Sequence, residues 1–212
     1  MIEAARTEGG LYTITINRPN RANSLTKAML QDLCQVVDEA KSSAARAVIF
    51  TGSGDKVFSA GADLEEAKAG LATDPVWEAL SSRIAALDCP SIAALNGTLA
   101  GGAFGMALAC DIRLAVPGAK FFYPVAKLGF LPQPPDPGRL ARLVGPGRAK
   151  ILLLAAETIS TDEALAWGLV DRVVARSDLM SAARMLCAAA IEGNANTLGK
   201  IKAMVDEAAA RA

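Results

Sequence analysis

Two glycine-bearing segments hold the residues best suited to chemistry in this sequence: FSAGADL at 58–64 and GTLAGGAFG at 97–105. Glycine lets backbone come close to a ligand, and a loop running into a helix aims free N–H groups and a positive dipole end at it. Two such N–H groups converging on one oxygen form an oxyanion hole. Tight helix packing is the competing reading, and on glycine content alone it is the stronger one. Neither segment is a phosphate-binding P-loop or a GxGxxG turn.

Composition narrows the chemistry. The chain has 212 residues, which suits one sizeable domain, and it contains no histidine. That excludes Ser-His-Asp and Cys-His triads and His-ligated zinc, so acid–base work falls to a carboxylate, Tyr, Lys, Cys or water. Lysines and arginines number 22 and so do the acids, so the net charge is zero and nothing favours nucleic acid or anionic lipid. The cysteines, Cys34, Cys89, Cys110 and Cys187, form no Cys-x-x-Cys pair. Buried free thiols in a reducing cytoplasm are expected, and no metal site. The start, MIEAARTEGG, has no apolar run of the kind a secretory leader carries.

Residues 91–110 run for twenty positions without a charge, long enough for a bilayer. Asn96-Gly97, a turn signal, interrupts them, so strand, turn and buried helix (from about 102 to 109) is the better division, and no membrane span is expected. LYTITINRP alternates as a strand ending near Pro19, and Thr26 can cap a helix bearing Met29, Leu30, Leu33, Val36, Val37 and Ala40. ARAVIFTGSG reads as a strand running into a glycine turn, and SIAAL, DIRLAV and VDRVV read as further strands. FSAGADLEEAKAG reads as a loop followed by a short acidic-topped helix, and DPVWEALSSRIAALD, RLARLVG, GRAKILLLAAE, the well-capped STDEALAWGLV and everything from Ser177 onward read as helical. KLGFLPQPPDPG, with four prolines, is expected to be irregular. Strands alternating with helices argue an α/β fold.

Taken in order, NRPNRANSLT, FSAGADL, NGTLAGGAFGMALACDIRLA, FFYPVAKLGFLP and ISTDEALAWGLVDRVV strongly resemble the crotonase superfamily, the enoyl-CoA hydratase/isomerase family, over residues 11–174. The resemblance implies a spiral of ββα units at 1–176, a helical segment at 177–212 involved in oligomerisation, and a homotrimer or dimer of trimers. It implies an acyl-CoA substrate, no cofactor beyond the CoA moiety, and an enolate held by the backbone N–H groups of Ala62 and Gly102. By the same matching Ala22, Ala60, Asp63 and Leu64 lie along CoA. Arg18, Arg21, Lys27 and Lys56 are cations for its phosphates, with a solvated surface role as the equal alternative.

Two positions depart from that pattern. Hydratases of the family carry glutamates where this chain has Gly105 and Val125, and neither residue moves a proton. Asp136 is the foremost substitute, with a turn residue before Pro137 as the favoured competing reading; Tyr123 and Gln133 follow. Glu65 and Glu66 are read as favouring a helix N-terminus, Asp111 as structural, and Trp77 as a packing or acyl-pocket residue. Relatives of this type continue past the last helix here, so a more open pocket, or one completed by a neighbouring subunit, is expected. The sequence therefore favours thioester chemistry other than hydration: a decarboxylase, a thioesterase or an unusual isomerase or lyase. A catalytically silent acyl-CoA-binding or assembly protein is the alternative, and a shared architecture without CoA binding stands third.

Overall fold

The computed structural model describes residues 1–211. Among the described residues, ten strands make two sheets. The larger, in the order β1-β2-β3-β5-β7-β10, joins Ile2–Arg6, Leu11–Ile16, Ala47–Gly52, Ser91–Leu95, Ile112–Ala115 and Arg172–Val173. The smaller joins β4 (Val57–Ser59), β6 (Thr98–Ala100), β8 (Lys120–Phe122) and β9 (Ile159–Ser160). Among the described residues, only the β1–β2 and β8–β9 pairs are antiparallel. β3 and β5 are buried along their whole length, as strands covered on both faces must be.

The chain repeats one path three times. β3 then β4, β5 then β6, and β7 then β8 each place one strand in each sheet before a helix follows. This is the expected spiral of ββα units. The helices are α1 (Lys27–Ser42), α2 (Leu64–Lys68), α3 (Val76–Ala85), α4 (Ala103–Ala109), α5 (Val125–Leu128), α6 (Asp136–Val144), α7 (Pro146–Leu153), α8 (Thr161–Trp167), α9 (Leu179–Glu192) and α10 (Ala195–Arg211). The Thr26 hydroxyl caps α1 by accepting from Met29 N at 3.2 Å, and Ser160 with Glu163 closes a capping box on α8. The helix α4 is buried at every residue, so the uncharged run is core. No helix among the described residues is long and apolar enough to cross a membrane.

Three expectations need correction. The proline-rich stretch is not wholly irregular: Lys127 and Leu128 end α5, and Asp136 opens α6. Pro137 fits there because a first-turn residue has no intrahelical N–H bond to lose. The tail is not one helix, since Gly193-Asn194 separates α9 from α10. The smaller sheet went unseen in the sequence, because strands of two or three residues are too short to show alternation. α9 lies on the larger sheet, burying Ala183, Cys187 and Ala190.

Candidate active site

β4 and β6 are neighbouring parallel strands, and their ends carry the two glycine segments to one place. Gly61 adopts φ +89°, and a Cβ on it would meet Ala100 O at 3.0 Å and Gly102 N at 3.1 Å. Only glycine allows that approach. Leu25 N donates to Gly61 O and Asp63 N to Leu25 O, each at 2.8 Å, which fixes the chain on both sides of Ala62. Among the described residues, no protein acceptor takes the N–H of Ala62 or of Gly102. Both residues line one cleft of about 150 Å³. It runs from exposed Leu64, Leu128 and Leu131 to buried Trp77, Tyr123 and Gln133.

Behind that buried end lies Asp136. It is 0% exposed, and the Tyr123 hydroxyl donates to its Oδ2 at 2.9 Å. Its Oδ1 is buried without a hydrogen-bond partner among the described residues. Burial pushes the Asp136 carboxyl up to about 6, against the opposing pull of the Tyr123 hydrogen bond and the nearby Arg139 charge. Burial and the same carboxylate raise the Tyr123 phenol far above its ordinary value, so it stays protonated and neutral. Asp136 is thus not the turn residue before Pro137 that the sequence favoured: it opens α6. It is a buried carboxylate with one anchored and one free oxygen.

Gly105 makes room for it. A Cβ at Gly105 would lie 3.0 Å from both Asp136 oxygens. Residues three apart on a helix share a face and sit about one turn, roughly 5 Å, from each other. The carboxylate therefore packs one turn along α4 from the Gly102 amide. Val125 lines the cleft at the N-terminus of α5.

The CoA-side candidates divide. Ala60 and Leu64 line the cleft. Ala22 does not, but its carbonyl accepts from Ala60 N at 3.0 Å and so braces the wall. Asp63 caps α2 through Glu65 N and pairs with Arg18 at 2.7 Å, which holds its carboxyl below the ordinary range. Arg18 also donates to Ser24, so this cation is committed within the protein. Lys27 pairs with Asp74 at 2.7 Å, while Arg21 and Lys56 are exposed. Glu65 and Glu66 lie in the first turn of α2, and Glu66 accepts from Lys27 N. Among the described residues, no group of three or more potential metal ligands gathers.

A family model described as enoyl-CoA hydratase/isomerase matches residues 6–212. The chain belongs to the enoyl-CoA hydratase/isomerase family. It is 41% identical to a short-chain-enoyl-CoA hydratase of Clostridium acetobutylicum over 183 residues, 84% of this chain and 70% of the relative. It is 36% identical to a crotonyl-CoA hydratase of Syntrophomonas wolfei over 209 residues, 96% and 78% of the two chains. A solved enoyl-CoA hydratase from Bacillus anthracis superposes with a TM-score of 0.88 at 33% identity, over 97% of this chain and 82% of that one.

Within this member of the enoyl-CoA hydratase/isomerase family, the sequence located the glycine walls but not what fills the space between them. It missed the pairing of Tyr123 with Asp136 and the void at Gly105 that admits the carboxylate. The available signal was the coincidence of a glycine on a buried helix with an acid among prolines. Asp111 is structural, as read: it accepts from Ser91 N at 2.8 Å and Ser91 Oγ at 3.0 Å, and pairs with Lys202 at 2.9 Å.

Proposed function

We propose that this chain binds an acyl-CoA thioester in the cleft and shifts its double bond with one carboxylate, as an enoyl-CoA isomerase. The thioester oxygen is held by the N–H groups of Ala62 and Gly102, each such donor stabilising a developing oxyanion by about 3 kcal/mol. Asp136 takes a proton from C2 of a 3-enoyl thioester. The electron pair delocalises onto the thioester oxygen, and the protonated Asp136 returns the proton to C4. The double bond moves from C3–C4 to C2–C3, with no net change in protons. No cofactor beyond the substrate's own CoA is needed.

The observation that carries this reading is the free Oδ1 of a buried carboxylate, packed one helical turn from an unpaired amide. A carboxyl near 6 is charged at neutral pH yet basic enough to accept a proton. Hydration, named for the relatives above, differs in needing groups both to activate water and to protonate carbon. At the two positions where the resemblance implies glutamates, Gly105 and Val125 supply neither.

The test sets 3-hexenoyl-CoA isomerisation beside crotonyl-CoA hydration, with wild type and Asp136→Asn. Isomerisation should outpace hydration and vanish in the variant. Rapid hydration that survives Asp136→Asn would overturn the reading.

A further inference from the structure

Trp77 stands at the buried end of the cleft, on α3, and is only 4% exposed. Its indole N–H donates to Leu71 O at 2.8 Å, and Leu71 is itself buried. The ring is therefore anchored at its polar edge as well as packed. A Cβ on Gly102 would meet three consecutive atoms of the six-membered ring, Cδ2, Cε2 and Cζ2, each at 3.2 Å. Equal distances to three ring atoms mean that the face of the ring, not its edge, covers Gly102. A group bound at the Gly102 amide thus lies beside a rigid aromatic wall.

Volume turns that wall into a limit. The cleft, open to solvent at Leu64, Leu128 and Leu131 and closed at Trp77, offers about 150 Å³ in all. An apolar cavity of that size accommodates about one benzene molecule. The neighbouring walls, Tyr123 and Gln133, are also buried and tethered, to Asp136 and to Ala72 O. Each of these three buried walls, Trp77, Tyr123 and Gln133, is held by a hydrogen bond.

We infer that Trp77 is the specificity-determining residue for acyl length, restricting the chain to short acyl-CoA thioesters of up to about six carbons. This rests on the reading of the cleft as a thioester site and adds its substrate class. Trp77 needs no part in proton transfer; it sets how far an acyl chain extends beyond Gly102.

The experiment measures Kd by calorimetry for saturated butyryl-, hexanoyl-, octanoyl- and decanoyl-CoA, which bind without turning over. Wild type should bind butyryl-CoA at least tenfold more tightly than decanoyl-CoA. Trp77→Ala should abolish or invert that ratio, and Trp77→Leu, which keeps apolar packing should the smaller residue unfold the chain, should reduce it. Equal affinity across the series in wild type, or an unchanged ratio in a folded Trp77→Leu, overturns the inference. Failure of every thioester to bind wild type overturns the reading of the cleft, and the length limit with it.

Discussion

Two aspartates flank the same buried helix, and their surroundings could hardly differ more. Asp111, just past the end of α4, receives two hydrogen bonds from Ser91 and an ion pair from Lys202. Asp136, beside Gly105 near the start of α4, receives one hydrogen bond from a neutral phenol and keeps an oxygen free. A carboxylate paired with a cation and partly open to solvent, as Asp111 is, stabilises the fold at little desolvation cost. One buried with a single neutral partner costs stability and retains basicity. In the proposed reading, structural and chemical roles separate by what surrounds the residue, not by residue type.

The largest expected effect is on turnover. Asp136→Asn should lower kcat for isomerisation by about 100- to 10,000-fold, the usual contribution of a positioned acid–base group. The same variant should be more stable near pH 7. The folded-state value is raised from 3.8 to about 6, so the folded chain holds a proton that the unfolded chain has already lost. Stability therefore falls as pH rises between those values and is flat above them, by about 3 kcal/mol at most. Thermal melts at pH 4 and pH 7 should show that slope in wild type and not in the variant. A variant destabilised at both pH values would erase the contrast with Asp111.

Next in size, Gly105→Ala should lower kcat/KM by about 10- to 100-fold while the protein stays folded, because its methyl would sit 3.0 Å from both Asp136 oxygens and displace them. Unchanged kinetics would show that the void is not what positions the carboxylate. Asp111→Ala should do the opposite, leaving kcat intact and costing about 2 kcal/mol by freeing Lys202 and Ser91, with allowance for partial exposure. Denaturant titration beside steady-state kinetics separates the two.

The smallest effect is the most diagnostic. The acid limb of the kcat/KM profile should fall near pH 6, since the proposed isomerisation needs Asp136 as its carboxylate. In Tyr123→Phe that limb should move to higher pH, because the hydroxyl favours the charged form. A limb that stays put would assign it to another group.

What could be read in advance follows from the range of the forces involved. The α1 stripe, the Thr26 cap and the Ser160–Glu163 capping box are local patterns that agree with the fold they serve. The glycines at 61 and 102 could be read too, because backbone chemistry leaves few choices of residue. Asp136 could not: its neighbour Pro137 fits a turn as well as a helix start, and nothing nearby in sequence announces Tyr123 or Gly105. The short strands of the smaller sheet were silent for the same reason, since their pairing is set by partners about twenty to forty residues away.

The sequence alone thus determined the family pattern, the alternation of strand and helix, and a backbone able to turn two amides toward a shared space. Only the tertiary structure decided which acid is buried, which oxygen stays free and which ring closes the cleft. Burial and hydrogen-bond satisfaction arise from atoms brought together across the chain, and a carboxylate's basicity depends on them far more than on its neighbours in sequence.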